Sequence, residues 1–227
     1  MEVYIDDMLV KSLKAKDHME HLTDCFELII KYCMRLNAKK CLSAIASGRF
    51  LGVVVTARGI KASPEQLKSF INMPEPRTKR DIQRLTGRIT ALNRFVPRST
   101  DKCKPFFNLL KGNTPFTWND ECHTTFEQLK DYLTNPPLLA KPIDKEPLML
   151  YLAVSETALS AALARTDGKV EQPVYFVSKA LEDAETRYPT IQKLAFSLVI
   201  AARKLRLYFQ CHPITVMTTY PLPKGTT

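Results

Sequence analysis

The stretch Val3-Tyr4-Ile5-Asp6-Asp7-Met8-Leu9-Val10 sets two adjacent carboxylates between two short apolar runs. Runs of Val, Tyr, Ile and Leu favour strands, and an Asp-Asp pair between them favours a tight turn, so the spacing predicts a β-hairpin. Two like charges side by side on a stiff hairpin repel each other unless a cation sits with them. Carboxylate oxygens are the ligands Mg²⁺ prefers, and phosphoryl transfer uses such ions. The plainer alternative is a surface turn, because Asp is common in turns.

The rest of the chain bounds the possibilities. With 227 residues, 45% hydrophobic, 25% charged and only 7 Gly, it has the makings of one or two packed domains and not of a disordered chain. The net charge of +10 points to a polyanionic partner. Acidic residues interrupt the N-terminal apolar run, so no signal peptide is expected. The longest apolar run towards the C-terminus, 194–202, is too short to cross a bilayer, so no membrane partner is expected either. The six cysteines form no C-x-x-C pair and read as free thiols of a reducing compartment.

His18, His21 and Cys25 fall at i, i+3 and i+7, on one face of a helix spanning His18 to Leu36. That spacing suits three zinc ligands, but no fourth is near, and ordinary histidines on a half-exposed face are the weightier reading. Beyond this helix, Arg49–Thr56 and Ala57–Ile60 read as two strands. Gly52 inside the first marks a bulge or a close backbone approach.

Ser63-Pro64-Glu65-Gln66 starts a short helix that Pro74 and Pro76 stop. A second helix is expected over 78–95. There Arg80, Arg84 and Arg88 repeat every four residues, and Ile82, Leu85, Ile89 and Leu92 occupy another face. Between Arg77 and Lys104 stand nine Lys or Arg against two Asp, so most of the net charge lies in an eighth of the chain. A solvated helix face normally mixes signs. A stripe of cations, Arg77 and Lys79 included, with few acids beside it in sequence is what phosphate contact requires.

Helices over 103–111 and 119–133 follow, with Trp118 placed to staple the second. Pro136, Pro137, Pro142 and Pro147 make a stiff linker and the best candidate for a domain boundary. Strands over 148–154, 158–165 and 173–178, a long helix over 189–207 and a strand over 214–218 complete an α/β pattern. Three strands, a helix and a strand form the opening half of an RNase H-like fold.

These stretches in this order resemble the reverse transcriptase and RNase H segment of gypsy-type long-terminal-repeat retrotransposon polyproteins, in a form common in plants. The resemblance rests on Tyr-Ile-Asp-Asp (4–7), Leu-Asn-Ala-Lys-Lys-Cys (36–41), Phe-Leu-Gly (50–52), Arg-Gly-Ile (58–60) and Arg-Leu-Thr-Gly-Arg (84–88). It continues through Trp-Asn-Asp-Glu-Cys (118–122), Pro-Val-Tyr-Phe-Val-Ser-Lys (173–179) and Ala-Arg-Lys-Leu-Arg-Leu-Tyr-Phe (202–209).

The fold class it implies is α+β. Partial polymerase palm hairpins and a helical thumb are followed by an RNase H-like α/β domain shortened at its C-terminal end. The implied domains are palm with primer grip (1–62), thumb and connection (63–135), linker (136–147) and RNase H-like domain (148–227). Tyr4, Ile5, Asp6 and Asp7 would form the catalytic turn, with Asp6 and Asp7 as ligands of Mg²⁺. Phe50, Leu51, Gly52, Val53 and Val54 would grip the primer, and Arg77, Lys79, Arg80, Arg84 and Arg88 would hold an RNA/DNA hybrid or a DNA duplex.

The departures from the family pattern matter as much. The third palm carboxylate and the fingers are absent from this sequence. The RNase H carboxylate positions hold Ala153, Leu194 and Thr219, and Gln192 fills the neighbouring acidic one. The resemblance therefore implies a duplex-binding segment with weak or no Mg²⁺ binding and no polymerase or nuclease activity alone. A fuller polyprotein copy is the expected protein partner, and the cytoplasm, the nucleus or a virus-like particle the expected location.

Overall fold

The computed structural model describes residues 2–4, 7–12, 14–110, 116–218 and 220. They fall into two compact units, Met1–Ala57 and Arg58–Thr227.

In the first unit, β1 (Glu2–Tyr4) and β2 (Asp7–Leu9) pair antiparallel, with Tyr4 opposite Asp7 at the turn end. The hairpin is the expected one; Ile5 and Asp6 lie outside the described residues. Helix α1 (His18–Lys31) ends five residues before the expected Leu36. The stop is a Schellman closure: Met34 N–H donates to the Ile29 carbonyl at 2.9 Å, and Cys33 N–H to that of Ile30 at 3.0 Å. Cys33 takes the left-handed position, at φ 52°, that glycine usually fills, so composition carried no signal for it.

Strands β3 (Ser47–Phe50) and β4 (Val53–Thr56) form a second hairpin. The reading of Arg49–Thr56 as one strand is corrected here. Leu51 and Gly52 sit at φ 51° and 74°, the double positive φ of a two-residue primed turn. Gly52 thus makes the turn itself and is no bulge within a strand. Cys25, Ile29 and Val53 are buried in this unit, whereas Met19, Ile30 and Leu42 stand 70, 74 and 72% exposed.

The second unit joins a helical block to a mixed sheet. Strand β5 (Gly59–Ala62) leads into α2 (Pro64–Ile71) and α3 (Lys79–Leu92), which a 3₁₀ turn over Asn93–Phe95 extends. Then come α4 (Ser99–Lys102), α5 (Lys104–Leu110) and α6 (Asp120–Thr134). Ile82, Leu85, Ile89 and Leu92 are buried, as their spacing requires. They share the interior with Phe70, Phe95, Phe106 and Phe126, all fully enclosed. Trp118 packs on its own helix beyond the first turn, meeting Phe126 of α6 edge-on at 5.9 Å, and it also stacks on Phe106 of α5 at 5.8 Å.

Strand β6 (Leu139–Ala140) returns to pair with β5. Gly59 makes that pairing possible: it has φ 144°, and a Cβ there would meet the Leu139 carbonyl oxygen at 2.0 Å. The proline-rich stretch therefore lies inside a compact unit, held on one side by this strand. Its other side is held by Glu146, which takes hydrogen bonds from Arg165 Nε at 2.9 Å and from the Ile143 N–H at 2.8 Å.

The sheet runs β7 (Leu148–Val154), β8 (Ala158–Asp167) and β9 (Val170–Ala180) as an antiparallel meander. Helices α7 (Thr190–Lys204) and α8 (Arg206–Cys211) then carry the chain back to β10 (Ile214–Met217). The strand order is β10-β7-β8-β9, with β10 parallel to β7. Leu148, Leu150, Ala161 and Leu163 of the sheet pack against Ala201 and Leu205 below. The strand-strand-strand-helix-strand order read from the sequence is the observed one. The expected 189–207 helix breaks at Leu205 into two pieces.

Gly59→Ala in the full chain is expected to lower the urea midpoint. Gly168→Ala, at φ 64° with nothing within 4 Å of the new Cβ, is expected to lower it less. Equal midpoints for the two variants contradict the close approach of β6.

Candidate nucleic-acid interface

The basic stripe lies on a helix whose start is fixed by its own side chains. Thr78 and Asp81 form a capping box: Asp81 N–H donates to Thr78 Oγ1 at 3.2 Å, and Thr78 N–H donates to Asp81 Oδ2 at 3.1 Å. The Thr78 hydroxyl, the main reason, and the Arg77 and Thr78 amides hold the Asp81 carboxyl below its ordinary range; the Arg84 charge adds to this. Asp81 thus sits among the cations as a cap more than as a counter-charge.

Arg80, Arg84 and Arg88 follow at one-turn intervals on one side of α3. They are not equivalent. Among the described residues Arg80 is exposed and has no ion-pair partner. Arg84 reaches Asp81 at 3.6 Å, while its side chain stays 60% exposed. The Arg88 guanidinium donates to the Ser69 carbonyl in the last turn of α2, which joins the two helices and places a cation at that helix's negative end. Gln66, Ser69, Arg84, Gly87, Arg88 and Ala91 together line an open groove of about 370 Å³ between α2 and α3. Gly87 has nothing within 4 Å of where its Cβ would be, so the groove floor there is bare backbone.

The residues that follow this helix are held on the sheet by polar contacts that sequence reasoning missed. The Ser155 hydroxyl donates to Asp101 Oδ1 at 2.6 Å, and Arg98 Nε and a terminal nitrogen donate to Oδ2 at 3.2 and 3.1 Å. Thr100 N–H donates to the Ser178 hydroxyl at 3.1 Å. Arg94 lies over the Tyr175 ring at 5.4 Å. Serines on β9 and just past β7 gave no sign of these partners, because the contacts span 54 and 78 residues of chain. Nearby, burial lowers the Lys102 ammonium pKa, with the Arg98 charge adding to it, and Lys102 covers the Tyr132 ring at 4.7 Å. Burial pushes the Cys103 thiol up to about 12, so that thiol is chemically quiet.

In the first unit, two predicted elements meet. Leu51 N–H, at the tip of the β3–β4 hairpin, donates to Asp7 Oδ2 at 3.2 Å. The Asp7 carboxylate is exposed, and Phe50, Leu51, Gly52, Val53 and Val54 flank it as the turn and strands of that hairpin. Asp7 is the one carboxylate of the Asp-Asp pair among the described residues; Asp6 lies outside them.

Of the RNase H carboxylate positions read from the sequence, the two described ones carry no metal-binding group. Ala153 lies exposed on β7 opposite Ser160, Leu194 is buried on α7, and neither side chain has a donor atom. Thr219 lies outside the described residues. The nearest acid in sequence, Glu156, is exposed in the β7–β8 turn, where its carbonyl accepts from Lys193 Nζ at 3.2 Å. Among the described residues no three His, Cys, Asp or Glu side chains converge to hold a metal. No helix among them is long and apolar enough to cross a membrane.

This fold and these departures meet known proteins as follows. Residues 118–216 match the family described as RNase H-like domain found in reverse transcriptase. The chain is 28% identical over 217 residues to the retrovirus-related Pol polyprotein from transposon opus of Drosophila melanogaster. That match covers 91% of this chain and 22% of the relative, so the chain spans about a fifth of the relative's length. The foamy viral protease-reverse transcriptase in complex with an RNA/DNA hybrid superposes with a TM-score of 0.74 at 20% identity, over 91% of this chain and 28% of that one. The same protein in complex with dsDNA gives 0.71 at 20% identity, over 94% and 47%.

The fold is thus RNase H-like, in the mixed α/β setting of a reverse transcriptase. In sequence the chain is similar, over nearly all its length, to a segment of a retrotransposon Pol polyprotein.

The Asp81 cap sets a pH dependence. Its folded pKa lies below the unfolded one, so its contribution is present above the ordinary carboxylate range and fades as pH falls through the depressed value. Amide exchange in the first turn of α3 is expected to accelerate on acidification in the wild type. In Asp81→Asn it should be faster already at neutral pH and should respond less to acid. An unchanged α3 start in Asp81→Asn contradicts the cap.

Proposed function

We propose that this chain is a segment of the RNA-directed DNA polymerase of a gypsy-type long-terminal-repeat retrotransposon polyprotein of a plant lineage. In this reading residues 1–62 belong to the palm with its primer grip, 63–135 to the thumb and connection, 136–147 to a linker, and 148–227 to a degenerate RNase H-like domain. The segment holds an RNA/DNA hybrid or a DNA duplex and has neither polymerase nor nuclease activity by itself.

The observation that carries the reading is the groove beside α3. Arg84 and Arg88 flank a floor of Gly87 and Ala91, with Arg80 exposed one turn before. Cations at the rim suit phosphates, and a floor without side chains lets a sugar-phosphate surface come close. Arg77 and Lys79 extend the charge at the helix start. The complexes formed by the foamy viral protein, with an RNA/DNA hybrid and with dsDNA, support this choice of ligand.

Chemistry belongs to a fuller polyprotein copy acting in the cytoplasm, the nucleus or a virus-like particle, which would supply the carboxylates that hold Mg²⁺. Asp6 and Asp7 contribute to such a centre and do not constitute it, because two-metal phosphoryl transfer needs further oxygen ligands. A second reading, a non-catalytic nucleic-acid-binding remnant of a decayed element, is favoured by the donor-free side chains of Ala153 and Leu194. It makes the same binding prediction.

Binding of a labelled RNA/DNA hybrid or DNA duplex, followed by anisotropy at stepped salt, tests the proposal. Arg80→Ala and Arg84→Ala should each reduce the slope of log K against log salt by about 0.9, the increment of one phosphate contact on duplex DNA. Slopes that stay unchanged in both variants overturn the interface. Templated nucleotide incorporation, or cleavage of the hybrid's RNA strand in Mg²⁺, overturns the assignment of inactivity.

A further inference from the structure

In the first unit, Ser12 lies three residues beyond β2 and places its hydroxyl between two imidazoles. Its Oγ is 2.9 Å from His18 Nδ1 and 2.7 Å from His21 Nδ1. A hydroxyl has one proton, so it donates to one ring and accepts an N–H from the other, and the two neutral rings take opposite tautomers. The two histidines are three residues apart on the first turns of α1, a rigid spacing that turns both Nδ1 atoms towards one point.

We propose that His18 and His21 form a two-histidine site for a divalent ion of the zinc class, the ion taking the place of the Ser12 hydroxyl and water completing its shell. Both donors reach a common centre already, and shortening each approach to the Zn–N distance of about 2.0–2.1 Å needs small side-chain rotations. In sequence Asp17 precedes His21 by four residues and Asp24 follows it by three, and Lys14 and Lys16 stand just before the pair. Neutral imidazole is also the donor that zinc, nickel and copper share.

Cys25, on the same face at i+7, is excluded. It is 5% exposed and already engaged, and it lies about 6 Å further along the helix than His21. This site has no part in duplex binding, and its failure leaves that reading untouched.

The test uses the full chain with the exposed thiols Cys33, Cys41 and Cys211 replaced by Ser, which removes competing zinc ligands. Calorimetric titration with Zn²⁺ in chelator-treated buffer should show one saturable equivalent. The phase should be lost in His18→Gln and in His21→Gln and kept in Ser12→Ala. Imidazole resonances of the parent protein should show His18 and His21 shifting together while His123 and His212 stay in place. Absence of saturable binding, survival of binding in both histidine variants, its loss in Ser12→Ala, or shifts confined to His123 and His212 each overturn the site.

Discussion

The Asp101 carboxylate is the contact on which the arrangement of the larger unit depends. It accepts from Ser155 at the end of β7 and from Arg98 at the start of α4, so one side chain joins the sheet to the helical block. The Thr100 amide on Ser178 adds a second tie one residue away. Arg94, stacked on Tyr175, adds a third from the turn that ends α3. A basic helix free to swing would meet a duplex at the expense of its own ordering. Fixed to a sheet, it presents its cations with that cost already met in folding.

The same sheet has an apolar interior of its own. Leu148, Leu150, Ala161 and Leu163 bury one face against α7, and Leu194 adds an apolar side chain on that helix. An unpaired carboxylate at the Leu194 position would be costly to bury there, whereas leucine adds to the apolar interior. The sheet then serves as a support, and the polar groups that mattered for attachment, Ser155 and Ser178, lie where the helical block meets it.

Much of this was legible in the chain because it is local. The apolar run over 148–154 and the 3.6-residue period over 79–92 read as strand and helix directly, and Asn119 and Thr78 marked their helix starts. What stayed hidden depends on backbone states or on contacts distant in sequence. Cys33 adopts positive φ without being glycine, so the end of α1 had no compositional mark; in the β3–β4 turn Gly52 was the mark and Leu51, also at positive φ, hid the other position. Trp118 joins Phe106 of α5 to Phe126 of its own helix, and Asp101 found Ser155, across loops that periodicity does not see. For the candidate site, the charge stripe was readable. The division of labour within it was not, since Arg88 is partly spent on the Ser69 carbonyl and Arg80 is not.

The most direct test follows both parts of the larger unit as it unfolds in urea. Trp118, the single tryptophan, reports on the helical block through its emission, and amide exchange on β7, β8 and β9 reports on the sheet. One shared midpoint for the two signals is the predicted result, with both moving together in Asp101→Ala. Two separate midpoints in the unmodified protein would contradict the account, because the basic helix would then have no fixed support.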